Sequence, residues 1–232
     1  DNWVTVSKYL SKSYKIYIID LPNHGKSYHS EIFSYEDMSR DLDSFFIKNG
    51  LTKFSLLGHS MGGKLALKYI DMFKDKIDKL IIVDIANKNY NINRFEDIFD
   101  AIFSISLTDL KSRSDADDAI SNIIKNEGER NFILKNLKRT ADGFEWSPNI
   151  MLLHRKLSDI SSKINLRRKV KNDTLFLLGE NSNYFNIHDE NNLKDEFENY
   201  LIKKIQNSGH WVHAENPKDF IISVLDFLSS RV

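Results

Sequence analysis

The residues with the clearest chemical potential are Gly58-His59-Ser60-Met61-Gly62, with Gly63 directly behind them. They follow an apolar run, Phe54–His59, and lead into a helical pattern. A G-x-S-x-G between strand and helix is the context of a nucleophile elbow, a turn so tight that the serine backbone is strained. Side chains two residues before and two after such a serine collide, and Gly58 and Gly62 meet the need for small residues there. Gly63 lets the helix lie close to the sheet. The turn holds Ser60 Oγ exposed at the carboxyl end of a sheet, where ligands bind in such architectures. The Met61 N–H, at a helix N-terminus, is placed to stabilise an oxyanion. The alternative is a glycine-rich turn with an incidental serine, and the flanking strand and helix argue against it.

A serine hydroxyl is a weak nucleophile unless a base takes its proton. In strand-turn-helix sites of this kind the chain order is serine, acid, histidine, with the histidine after the last strand. Asn207-Ser208-Gly209-His210-Trp211 lies there, and His210 is the expected base. His210, His213 and Glu215 lack the spacing of a metal site, and His213 is expected to pack or bond locally. His59 is poorly placed to face Oγ. His24, His29, His154 and His188 read as surface or turn histidines. The acid commonly follows the strand Thr174–Gly179, but position 182 is a serine and Glu180 starts the turn at a poor angle. Asp84, at the end of the apolar run Leu80–Val83, also reaches the carboxyl edge. From there it can fix the tautomer of His210 and stabilise the imidazolium. A capping role for Asp84 is the simpler alternative, and Ser182 is a candidate second partner for the same histidine.

Five runs read as the strands that position these residues: Lys15–Asp20, Phe54–His59, Leu80–Asp84, Thr174–Gly179 and Tyr200–Ile205. Most are short and continuously apolar, as parallel strands buried on both faces are. The last, with Lys203 and Lys204, suits an edge. Ser34 is a plausible N-cap with Asp37 three residues on, and Met38, Leu42, Phe45 and Phe46 share one helical face. A second helix runs from Gly62 to Phe73, and a third follows Pro217, which suits a first helical position. The alternation predicts a doubly wound, mostly parallel sheet. Residues 87–172 break it. They are charged and helical in pattern, as over Ala116–Lys125 and Arg130–Leu137, and read as an inserted helical cap between core segments 1–86 and 173–232.

Composition narrows the classes further. The chain has 232 residues, enough for one core with an insertion. Lys plus Arg equals Asp plus Glu at 33 each, so no bulk charge draws it to nucleic acid or anionic membrane. No stretch approaches roughly 18 consecutive apolar residues. There is no cysteine, which excludes a thiol nucleophile and a Cys-ligated zinc and fits a cytoplasmic protein. No cofactor or metal is expected.

Together these residues resemble the YbfF-type acyl esterases of the α/β-hydrolase superfamily. The matching pieces are Asp1-Asn2-Trp3, Asp20-Leu21-Pro22-Asn23-His24-Gly25-Lys26-Ser27, Gly58 to Gly63, Asp84-Ile85-Ala86, Gly179-Glu180-Asn181-Ser182, and Gly209 to Glu215. The resemblance implies the α/β-hydrolase fold and an acid after the earlier strand, which favours Asp84. It also implies a His-Gly loop upstream of Asp1 that supplies a second oxyanion N–H, so the full protein is expected to be longer.

The function expected is acyl transfer from a small-molecule ester or thioester, with Ser60 as nucleophile, His210 as base and Met61 as oxyanion donor. Acyl-CoA is an option, since Arg167-Arg168-Lys169-Val170-Lys171 can meet phosphates, although such a run is more often solvated surface. Phe99, Phe103, Met151 and Leu152 either line an acyl pocket or form cap core, the latter being favoured. The rivals are carbon–carbon hydrolysis or elimination on the same triad, and a non-catalytic binding protein of the same fold.

Overall fold

The computed structural model describes residues 3–230, except for the side chain of Arg94. Asp1 and Asn2, part of the resemblance above, lie outside the described residues. In chain order the elements begin with α1 (Val4–Leu10), α2 (Tyr35–Lys48), β1 (Phe54–His59), α3 (Met61–Phe73) and β2 (Ile77–Val83). Then come α4 (Asn93–Ser104), α5 (Arg113–Ile120), α6 (Glu127–Leu134), β3 (Leu137–Thr140), β4 (Gly143–Trp146), α7 (Ile150–Arg155) and α8 (Leu157–Ser161). The chain ends with β5 (Thr174–Gly179), α9 (Ile187–Glu196), β6 (Tyr200–Ile205), α10 (Val212–Glu215) and α11 (Pro217–Ser229).

Two compact units result: residues 1–19, 34–89 and 163–232 in one, and 20–33 with 90–162 in the other. This division differs from the expected one, since residues 20–33 join the insertion while 87–89 and 163–172 join the core.

The first unit carries a parallel sheet in the order β1-β2-β5-β6. β2 and β5 are its central strands and are almost wholly buried. Successive residues of β2 face opposite ways. Ile81 and Val83 join Leu175, Leu177, Val212, Phe220 and Val224 in one apolar cluster. On the other face Ile82 approaches the start of α3. Helices on both faces make this the doubly wound α/β sheet expected. β6 is an edge strand, with Leu201, Lys203 and Lys204 exposed. Exposed lysines on an edge discourage pairing with other chains.

Helix boundaries follow local chemistry. Ser34 Oγ accepts the Asp37 N–H at 3.2 Å and opens α2. Pro217 opens α11, where a missing N–H costs nothing.

Two expectations fail. Lys15–Asp20 forms no strand, because among the described residues no ladder pairs with it, and apolar character alone does not make a strand. In the second unit, Leu137 does not end a helix. It begins a two-stranded antiparallel hairpin, β3-β4, turning at Ala141-Asp142-Gly143, where Gly143 takes φ 131°. Asp-Gly is a turn signal, and Leu137, the last residue of the expected helical stretch Arg130–Leu137, pairs across it with Trp146. The core of this unit joins Ala101, Ile102, Ala116, Ile120, Ile133 and Leu137. Leu152 and Phe99 are buried, but Phe103 and Met151 are exposed, so only half of that quartet is core.

The core unit also buries a lysine. Lys64, on α3, is almost fully enclosed and donates to the Lys88 carbonyl at 2.8 Å. Burial, helped by the nearby Lys88 charge, pulls its pKa down to about 7 from 10.5. Between those values the unfolded chain holds a proton that the folded chain does not, so this group makes folding more favourable as pH rises through the window. Urea titrations from about pH 7 to about pH 9.5 should therefore show wild type gaining stability relative to Lys64→Met. Parallel pH dependences would remove this explanation.

Candidate active site

Ser60 lies between the end of β1 and the start of α3, with φ 53° and ψ −120°. A non-glycine residue in such a region costs on the order of 1–3 kcal/mol and persists only where its surroundings over-determine it. They do so here. The Ser60 N–H donates to Val83 O at 3.1 Å, and its carbonyl accepts from Gly63 and Lys64 N–H at 2.9 and 3.1 Å. A Cβ on Gly58 would lie 2.2 Å from Gly62 O, and one on Gly63 would lie 2.6 Å from the Ile85 side chain. A Cβ on Gly62 meets nothing within 4 Å. The steric demand expected at both positions is therefore confined to Gly58.

Met61 opens α3. The first N–H groups of a helix have no acceptor within it, and that leaves the Met61 N–H suited to an anion beside Ser60.

The other two residues come from neighbouring loops. Asp84 follows β2, is fully buried, and adopts φ 48°. Its N–H donates to Leu177 O at 2.8 Å. Its Oδ1 accepts the Gly179 N–H at 2.9 Å, and its Oδ2 faces His210 Nδ1 at 2.7 Å. His210 Nε2 lies 3.1 Å from Ser60 Oγ. Serine, histidine and aspartate thus lie in one hydrogen-bonded line at the carboxyl end of the sheet. Ser182 is brought to the same place, but it reaches the acid and not the imidazole: its hydroxyl donates to Asp84 Oδ2. The reason is reach, since β5 places position 182 over the end of β2.

The loop bearing His210 is held from both sides. Glu215 accepts the N–H groups of Gly209 and Trp211, at 2.5 and 3.3 Å. That use of its carboxylate, with His213 stacked on Trp3 at 4.2 Å, leaves His210, His213 and Glu215 pointing to separate partners. His59 Nε2 donates to the His210 carbonyl at 2.8 Å. Burial, then the neighbouring His210 and His213, pull its pKa well below the ordinary value, so it is a neutral donor. Glu180 accepts the Asn207 N–H at 3.0 Å and is engaged in tying β5 to the end of β6. His24 and His29 bond the Pro22 and Ser147 carbonyls, and His154 bonds Glu96.

Two supporting roles here were not expected from the sequence. Tyr184 stacks on the His210 ring, and His59 supports the His210 main chain. Position 184 carries no local sequence signal, and His59, inside the elbow, was weighed only as a base for Ser60.

Two of the four basic residues at 167–171 pair with carboxylates. Arg167 makes three bonds to Asp71, through its main-chain N–H, Nε and Nη2, at 2.8, 2.8 and 2.6 Å. Lys171 pairs with Glu198. A groove of about 250 Å³ at the first residues of β5 and β6, lined by Asp173, Thr174, Tyr200 and Phe227, lies at the opposite end of the sheet from Ser60.

The fold and this geometry define a hydrolase class. The α/β hydrolase fold family model matches residues 1–217, and the chain belongs to that family. It is 34% identical over 220 residues to sn-1-specific diacylglycerol lipase ABHD11 from Mus musculus, covering 93% of this chain and 72% of that protein. It is 30% identical over 229 residues to Esterase YbfF from Escherichia coli, covering 99% and 88%. A solved marine microorganism esterase superposes with a TM-score of 0.94 at 35% identity, covering 98% of this chain and 90% of that one. The YbfF-type resemblance read from the motifs is borne out. Among the described residues no helix is long and apolar enough to cross a membrane.

Proposed function

We propose that Ser60, His210 and Asp84 are the nucleophile, base and acid of a serine hydrolase that cleaves acyl esters through an acyl-enzyme. The chain is an ester hydrolase, a class supported by its kinship with esterases over nearly its whole length. The observation that carries the residue assignment is the unbroken line from Asp84 Oδ2 through both ring nitrogens of His210 to Ser60 Oγ.

Ser60 Oγ attacks the ester carbonyl as His210 Nε2 takes its proton. The carbonyl oxygen, now anionic, is stabilised by the Met61 N–H. The C–O bond to the alcohol breaks as His210 returns the proton to the leaving oxygen. Water then attacks the Ser60 ester by the same steps, releasing the acid and restoring the serine. Asp84 keeps the proton of His210 on Nδ1 and offsets the charge of the imidazolium. The residues need no cofactor for this.

A small-molecule carboxylic ester is proposed ahead of acyl-CoA, because Arg167 and Lys171, two of the four cations in the basic run, pair with carboxylates. Residues 90–162, inserted in the chain between β2 and β5, are proposed as the helical cap of this hydrolase.

A fluorophosphonate probe tests the assignment. Wild type should be labelled covalently, and Ser60→Ala should lose all labelling while melting at the same temperature. A folded but unlabelled wild type would instead favour a non-catalytic binding protein of this fold.

A further inference from the structure

The loop after β5 does not supply the acid, yet it turns back over the triad. Tyr184 lies on the His210 imidazole with ring centroids 3.6 Å apart and planes 11° from parallel. His59 and Trp211 also approach that ring, at 4.6 and 5.1 Å, but with planes tilted by 43° and 62°. Neither covers a face as Tyr184 does. The Tyr184 N–H donates to Ser182 Oγ at 3.2 Å, and Ser182 in turn donates to Asp84 Oδ2. The stacked ring is therefore tied through two hydrogen bonds to the carboxylate that orients the same histidine.

Resting on the triad reading above, we propose that Tyr184 is a positioning residue for His210. The two hydrogen bonds of the imidazole lie in its plane and resist tilting out of that plane only weakly. A ring stacked on its face resists that tilt. The same face attracts a cation, and in the reaction His210 gains a positive charge by taking the Ser60 proton. The interaction is stronger in the transition state than in the ground state, so it acts on kcat and leaves KM alone. The aromatic face is what this positioning requires.

The test compares wild type, Tyr184→Phe and Tyr184→Leu in steady-state hydrolysis of p-nitrophenyl acetate and in the rate of fluorophosphonate labelling. A cation–π contact of this kind corresponds to roughly a 3- to 30-fold change in rate. Tyr184→Leu should lose that much in kcat and in labelling rate, with KM within about twofold. Tyr184→Phe should restore both rates. Should the leucine chain fail to fold, Tyr184→Met makes the same comparison. Wild-type rates in the leucine chain, or a phenylalanine chain as slow as the leucine one, would overturn the inference. Wild type that is not labelled at Ser60 would overturn the triad itself, an outcome distinct from equal labelling of all three chains.

Discussion

Asp84→Asn should fold normally and hydrolyse esters about 10⁴-fold more slowly than wild type, the size of effect seen when a triad acid loses its charge but keeps its shape. The hydrogen bonds around Asp84 say why. Its carboxylate accepts from the Gly179 N–H on Oδ1, and from Ser182 Oγ and His210 Nδ1 on Oδ2. An asparagine cannot accept on both sides. If its oxygen takes the Oδ2 place, the amide NH₂ faces the Gly179 N–H, donor against donor, in a fully buried site. If its oxygen takes the Oδ1 place, Gly179 is satisfied and Ser182 can rotate its hydroxyl to accept. The NH₂ then donates to His210 Nδ1, and the ring proton must move to Nε2, where it blocks acceptance of the Ser60 proton. The second orientation leaves no buried group unsatisfied, so the protein keeps its fold in the wrong tautomer. Steady-state hydrolysis and thermal melting of the same preparation check this. Glu180→Gln, at the other carboxylate weighed from the sequence, should stay within about twofold of wild type, as for substitutions away from the reacting groups. A reversal of the two results would place the acid on the loop after β5.

The elbow was legible because its chemistry is local. A strand, two glycines, a serine and a helix lie in consecutive residues, and each constrains the next. Asp84 and His210 were legible for a related reason: each follows an apolar run, and the carboxyl ends of parallel strands meet at one edge. What joins at that edge was less legible. Ser182 was placed near His210 but bonds Asp84, because the choice between two partners a few ångströms apart depends on the path of the loop. Tyr184 carried no signal, since an aromatic residue on a loop reads the same whether it stacks on a base or faces water, and His59, at the end of β1, was weighed only for its reach to Ser60 Oγ. Lys15–Asp20 has the composition of a strand, but pairing belongs to two segments and not to one. The hairpin Leu137–Trp146 was the avoidable error, since Asp142-Gly143 marks its turn.

The two glycines flanking Ser60 look equivalent in the motif, and their alanine variants should behave in opposite ways. A Cβ at position 58 would sit 2.2 Å from Gly62 O, 2.5 Å from Gly62 C and 2.7 Å from Gly63 N. All three are main-chain atoms at the start of α3, so no side chain can swing aside. Relief requires α3 to retreat from β1, and Ser60 is the residue that joins them. Overpacking of this sort costs about 1–3 kcal/mol, and a shift of about 1 Å at a reacting group costs on the order of 10²-fold in rate. Gly58→Ala should therefore lose both melting temperature and labelling rate. Position 62 has no atom within 4 Å of the new Cβ and lies in the first turn of α3. Alanine there removes the entropy cost of a helical glycine, worth about 0.5–1 kcal/mol in a helix interior. Gly62→Ala should match or exceed the melting temperature of wild type and be labelled at a similar rate. Equal damage from both would mean that the steric requirement on this turn is symmetric after all. A stable Gly62→Ala chain that is labelled normally by a small probe but hydrolyses larger esters poorly would mean that the open space beside position 62 belongs to the substrate.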